Sequence, residues 1–167
     1  MRSLLKWEWK DNTLWSLLVN DVTSFSLENP SAPSAQKLVV NYDYIGDAFT
    51  GNYGEQDISA ETNPIQAKYF LNNAHYITAQ KRLGPDSIVA AKALETPLLR
   101  VSISSSTYDN EGLPTTNLSH KTITIAAPSL KMNNPPFYYA KVSDDEDYII
   151  ITPTTFRYLS TNIFAEE

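Results

Sequence analysis

YYAKVSDDEDYIIITP, residues 138–153, decides what kind of fold this chain makes. Aromatic and β-branched residues fill Phe137–Val142 and Tyr148–Thr152, and both runs favour strands. Ser143–Asp147 joins them, and a polar connector of that length is an ordinary hairpin loop. Its acids, Asp144, Asp145, Glu146 and Asp147, are consecutive. Carboxylates this close repel one another least in water. The stretch therefore predicts a hairpin whose acidic tip sits in solvent and discourages edge pairing. The competing reading is a calcium loop, since Ca²⁺ takes many oxygens. The alternating Asp spacing, the glycine and the closing Glu of such a loop are all missing, so no metal site is assigned.

The same pattern of short alternating runs recurs along the chain. LLKWEWK, residues 4–10, places Leu5, Trp7 and Trp9 opposite Lys6, Glu8 and Lys10, and TLWSLLV, residues 13–19, reads as its returning strand. VTSFSL, residues 22–27, KLVVNYDYI, residues 37–45, LLRVSISSST, residues 98–107, and HKTITIA, residues 120–126, also read as strands. FRYLSTNIF, residues 156–164, is a candidate final strand. Between them, ENPSAPSAQ, residues 28–36, YDNEGLPTTN, residues 108–117, and PSLKMNNPP, residues 128–136, carry turn chemistry. GDAFTGNYGEQD, residues 46–57, holds three of the five glycines and reads as a mobile loop or a turn-rich bend.

One segment departs from period two. Asn63 is placed as an N-cap with Pro64 at the first helical position, and Gly84-Pro85 supplies a stop. Ile65, Tyr69, Tyr76 and Leu83 give the stretch an apolar face, although Asn72-Asn73 also fits a hairpin turn. Asp86 is the expected cap of a second short helix, SIVAAKALE, residues 87–95, which ends before Thr96-Pro97. The fold predicted is one mainly β domain over residues 1–167. It is an antiparallel sandwich or barrel of about eight short strands, with one or two helices inserted near residues 64–95. The βαβ alternation of a doubly wound sheet is missing.

Composition narrows the function classes. The net charge is −6 over 167 residues, and the longest basic cluster is Lys81-Arg82. Such a chain has no field that gathers nucleic acid. The lack of cysteine removes thiolate chemistry, zinc–thiolate sites and disulfides. No run of about 18 apolar residues is present to span a membrane, and MRSLLKWEWK lacks the apolar core of a signal peptide. The expected localisation is soluble and cytoplasmic at synthesis.

No motif selects a catalytic set. The nucleophile-elbow sequence G-x-S-x-G is absent. His75 and His120 lack partners at metal-ligand spacing, and residues 46–54 match no phosphate-binding loop. No cofactor is implied. Ten tyrosines in a chain with 19% charged residues suit a protein interface. The preferred function is a non-enzymatic structural or interaction module that self-associates or binds protein partners. It acts as a subunit of a larger assembly, with a virion capsid or tail as a setting. The contact residues expected are Phe49 and Tyr53, with Tyr42 and Tyr44 beside them. The alternative is a ligand-binding barrel or sandwich that holds a carbohydrate or flat apolar molecule on Trp and Tyr side chains. In that reading Trp7, Trp9 and Trp15 form a platform, whereas in the first they pack the core.

Overall fold

Alternation puts one apolar row of each strand on a common side, and the structure gathers these rows into one open antiparallel sheet. The computed structural model describes residues 11–32, 37–129 and 133–164. The strands are β1 (Thr13–Ser16), β2 (Val22–Glu28), β3 (Leu38–Asp43), β4 (Ala48–Tyr53), β5 (Gln56–Asp57), β6 (Tyr76–Thr78), β7 (Lys81–Gly84), β8 (Leu99–Tyr108), β9 (Pro114–Ala126), β10 (Tyr138–Val142) and β11 (Tyr148–Ile151). The helices are α1 (Pro64–Ala74), α2 (Ile88–Ala93) and α3 (Pro153–Leu159). Nine strands form one sheet in the order β5-β4-β3-β2-β8-β9-β10-β11-β7, and β1 and β6 form a separate ribbon. The short β5 and the charged β7, with Lys81 and Arg82, stand at the two edges, so the sheet does not close into a barrel.

One face of the sheet is the core. Phe25, Val40, Val101, Ile103, Ile123, Ile125, Ile149 and Ile151 point to it and are almost wholly buried. Each such side chain contributes about 1.5–3 kcal/mol by leaving water. A second layer covers them. Phe70 of α1 stacks on Phe25 at 4.4 Å between ring centroids, and Phe156 of α3 stacks on Tyr138 of β10 at 4.0 Å. Trp15 and Ile77 bring the ribbon into the same cluster. The mainly β, antiparallel expectation holds in its sandwich-like form, with helices and a ribbon as the second layer. The opposite face is polar along β2, β8 and β9. At its far end Ala90 and Ala126 are fully buried outside the main core, where α2 lies against β10 and β11.

Several elements differ from the expectation, each for a local reason. The first helix starts as predicted. Asn63 Oδ1 accepts from the N–H of Ile65 at 2.9 Å and of Gln66 at 3.4 Å, and Pro64 opens the helix. It stops at Ala74, ten residues short of Gly84. Asn73 turns its side-chain amide back to the carbonyl of Tyr69, and β1 offers the following residues a strand partner, with Trp15 opposite Ile77. Replacing Asn63 with alanine therefore costs about 1 kcal/mol of stability, read as a lowered midpoint in urea denaturation. The cap of α2 is Ser87, whose hydroxyl accepts from Ala90 N–H, rather than Asp86.

Residues 46–57 are not a mobile loop: turns at 46–47 and 54–55 bracket β4, and β5 follows, so the stretch is turn-rich but paired. Gly51 is needed there for close packing, because a Cβ would come 2.8 Å from Thr62 Oγ1. Residues 108–117 do not form a broad turn. β8 and β9 run on to Tyr108 and Pro114, leaving only 109–113 as the tip. β9 meets β10 only over Ile123–Ala126, and β8 meets β2 only as far as Ser105, so residues 106–118 extend past their neighbours as a two-stranded arm. The candidate strand at 156–164 begins inside a helix, since residues 156–159 belong to α3 and only Phe164 makes an isolated bridge, to Thr62. Thr152 Oγ1 caps the N–H of Thr155, Pro153 follows it, and Phe156 and Leu159 face the core three residues apart. The candidate strand at residues 4–10, with Trp7 and Trp9, lies outside the described residues.

Candidate functional site

Five strand ends meet at one end of the sheet: the starts of β2, β4 and β9 and the finishes of β3 and β8. The β3–β4 turn is the most prominent feature there. Asp43 Oδ1 accepts from Ile45 N–H at 3.1 Å, and Asp47 N–H donates to the Tyr44 carbonyl at 3.2 Å. Asp47 holds a left-handed conformation with φ of 47°. A three-way contact holds it there. The Lys68 ammonium, reaching from α1, donates to the Tyr42 hydroxyl at 2.8 Å and to Asp47 Oδ1 at 3.2 Å, and the Tyr42 hydroxyl donates to Asp47 Oδ1 at 3.3 Å. The Tyr42 hydroxyl, followed by the Asp47 carboxylate, raises the Lys68 pKa above its ordinary value. The ring of Tyr42 is fixed by stacking on Phe49 at 4.7 Å and by the edge of Tyr44 at 6.5 Å.

This braced turn carries an uncovered apolar side chain. Ile45 is 96% exposed, with Tyr44 at 48%. Across a shallow cleft of about 460 Å³ stands Tyr108 of β8, 50% exposed. Its hydroxyl donates to Asp21 Oδ1 at 2.6 Å, which fixes the ring and raises the Tyr108 pKa. Leu18 before β2 and Leu113 at the arm's tip are also exposed at this end. Acids surround the group: Asp43, Asp47, Asp109 and Glu111 are all exposed.

No family model, characterised protein or solved structure matches this chain. The geometry alone therefore describes the site. Of the residues singled out from the sequence, Tyr42, Tyr44 and Phe49 come together. Tyr42 is buried and Phe49 half-buried, so these two position the turn, and Tyr44 is the one that offers surface. Tyr53 lies at the other end of β4, opposite Leu38. Ile45 and Tyr108 were missed. The sequence reading ran the β3 strand through Ile45 and ended the β8 strand at Thr107, so neither residue stood out. An isoleucine immediately before Gly46-Asp47 turn chemistry was the available signal.

The other candidate places resolve differently. Asp144 and Glu146 are in solvent, but the acidic tip is not wholly wet. Asp147 is fully buried, and Arg82 Nη1 reaches its Oδ2 at 3.2 Å and Asp145 Oδ2 at 2.7 Å. Among the described residues no three His, Asp or Glu side chains are placed so that they could hold a metal ion together. Trp15 is 3% exposed and its Nε1 donates to the Ala74 carbonyl at 2.7 Å, so it serves the core and not a platform. His75 Nδ1 lies 2.9 Å from the Leu17 carbonyl, tying α1's end to the chain before β2. His120 Nδ1 lies 2.8 Å from Ser104 Oγ on the polar face. Among the described residues no carboxylate bonds to His120, so the third member of a hydrolytic triad has no counterpart there. No described helix is long and apolar enough to cross a membrane.

Proposed function

We propose that the protein is an interaction module and that it docks a protein partner at the end of the sheet built from the β3–β4 turn, residues 18–21 and the arm of β8 and β9. The observation that carries this reading is Ile45, 96% exposed on a turn that Lys68, Tyr42 and Asp47 hold in shape. An apolar side chain held rigidly in water gains from burial and loses little entropy on docking. Tyr44 and Tyr108 add aromatic area of the kind that dominates interface energetics.

The acids around this end select the partner. Two such ends facing each other would bring like charges together, so the matching surface is apolar with a basic rim. A different protein or a different face of a second copy satisfies that, and the second copy gives a head-to-tail contact. Either way the chain acts as a subunit of an assembly. Its low charge, tyrosine content and Ser/Thr/Asn richness suit a multi-subunit particle such as a virion, and no catalytic step is invoked.

The test compares Ile45→Asp with Ile88→Asp, since Ile88 is also largely exposed, at 82%, on α2, away from this end. Size-exclusion chromatography with light scattering measures the mass of the tagged protein and its co-purifying partner from the native source. Ile45→Asp is expected to weaken the complex tenfold or more, about 1.4 kcal/mol, while Ile88→Asp leaves it intact. A wild-type monomer at every concentration with nothing bound to it would overturn the proposal, and so would equal behaviour of the two variants.

A further inference from the structure

The polar face of the sheet holds a second open cleft, of about 360 Å³, that shares no residue with the first. Its floor is a grid. Ser26, Ser102 and Thr122 lie side by side across β2, β8 and β9, and Ser24, Ser104 and His120 form the adjacent row. Strand geometry spaces these groups by about 4.8 Å across the sheet and about 6.8 Å along it. Ser102 bonds to Thr122 at 2.8 Å and Ser104 to His120 at 2.8 Å, which fixes four of the six side chains. Lys37, at the start of β3, stands at the margin. No carboxylate lines the cleft, in a chain whose net charge is −6.

Ser26 is the anomaly. It is only 7% exposed, and it points away from the core that its neighbour Phe25 enters. Among the described residues nothing hydrogen-bonds its hydroxyl, although the cleft reaches it. The hydroxyl of this largely buried residue opens on the cleft without a protein partner, so water or a ligand must satisfy it.

We propose that this cleft binds a tetrahedral oxyanion, the phosphate or sulfate group of a small ligand. Hydroxyls and an ammonium are donors suited to anionic oxygens, and charge-assisted bonds of this kind are the strong ones. Ser26 and Ser24 donate from the floor, Lys37 supplies the positive charge, and His120, held through Nδ1, presents its other ring nitrogen. No carboxylate lines the cleft to repel the anion, and Glu28, two residues beyond Ser26 on β2, is paired with Arg100. Overall acidity excludes a long-range field for polyanions, but it does not weaken a local site within a screening length of about 8–10 Å.

Two histidines make the test direct, because His75 is bonded elsewhere and serves as an internal control. The ring resonances of both are followed by two-dimensional ¹H–¹³C NMR while inorganic phosphate, inorganic sulfate or glucose 6-phosphate is added at constant ionic strength. Saturable movement of His120 alone is expected, with a dissociation constant on the order of 1 mM or tighter. Lys37→Gln and Ser26→Ala should each weaken binding by about fivefold, with the His75 signal unchanged. Tighter binding of the sugar phosphate identifies an ester as the ligand, and tighter binding of an inorganic ion identifies the free anion. The site does not exist if His120 fails to saturate with any of the three, or if both variants bind as the wild type does.

Discussion

Replacing Arg82 with methionine should lower the free energy of unfolding by about 3–5 kcal/mol. Urea denaturation would show this as a fall in midpoint at unchanged slope. The guanidinium is 8% exposed and bonds Asp145 Oδ2 at 2.7 Å and Asp147 Oδ2 at 3.2 Å, while its Nε donates to the Asp11 carbonyl at 2.9 Å. Methionine keeps much of the side chain's volume but leaves Asp147, fully buried, without this cation. A buried carboxylate stripped of a paired charge is costly, because neither water nor bulk dielectric can replace it. Lys121→Met is the control. Lys121 pairs with Asp144, which is 51% exposed, so that pair should contribute less than about 1 kcal/mol. If Arg82→Met cost no more than Lys121→Met, the buried cluster would be contributing nothing to stability.

That contrast also shows where sequence reasoning stops. The acidic run of residues 144–147 was legible as a hairpin connector, because its flanking strands alternate and the connector has the composition of a turn. Which acids face water was not legible. The partner that draws Asp147 inward is Arg82 on β7, 65 positions earlier, and β7 reaches it only because the sheet order puts β7 beside β11. Lys81-Arg82 was visible as a basic pair without any local sign of what it would meet. Strand existence was likewise readable from period two in residues 98–107 and 120–126, but their pairing was not. The grid of hydroxyls on the polar face depends on the register that sets Ser104 opposite His120. The α3 error had a local cure. Thr152-Pro153 is an N-cap followed by a first-turn proline, the same signature that located α1, and it outweighs apparent alternation in residues 156–164. At residues 46–57, glycine was taken for mobility when Gly51 serves close approach to Thr62.

The second large effect tests the layering itself. Phe70→Ala should cost about 3–5 kcal/mol. Phe70 is completely buried and stacks on Phe25, itself 1% exposed, with an interplanar angle of 27°. This pair sits where α1 meets the centre of the nine-stranded sheet, between Ala67 and Leu71, which are also completely buried. Truncation opens a void that rigid strands on one side cannot fill. The loss is therefore the transfer term plus the cavity term. Phe25→Ala should cost a similar amount, and the double variant should cost less than the two together by about 0.5–1.5 kcal/mol, because either single change already removes the stacking. Ile65→Ala on the same helix is the reference. Ile65 is 78% exposed, and its loss should stay within about 0.5 kcal/mol. Equal costs for Phe70→Ala and Ile65→Ala would mean that α1 does not form the second layer of the core.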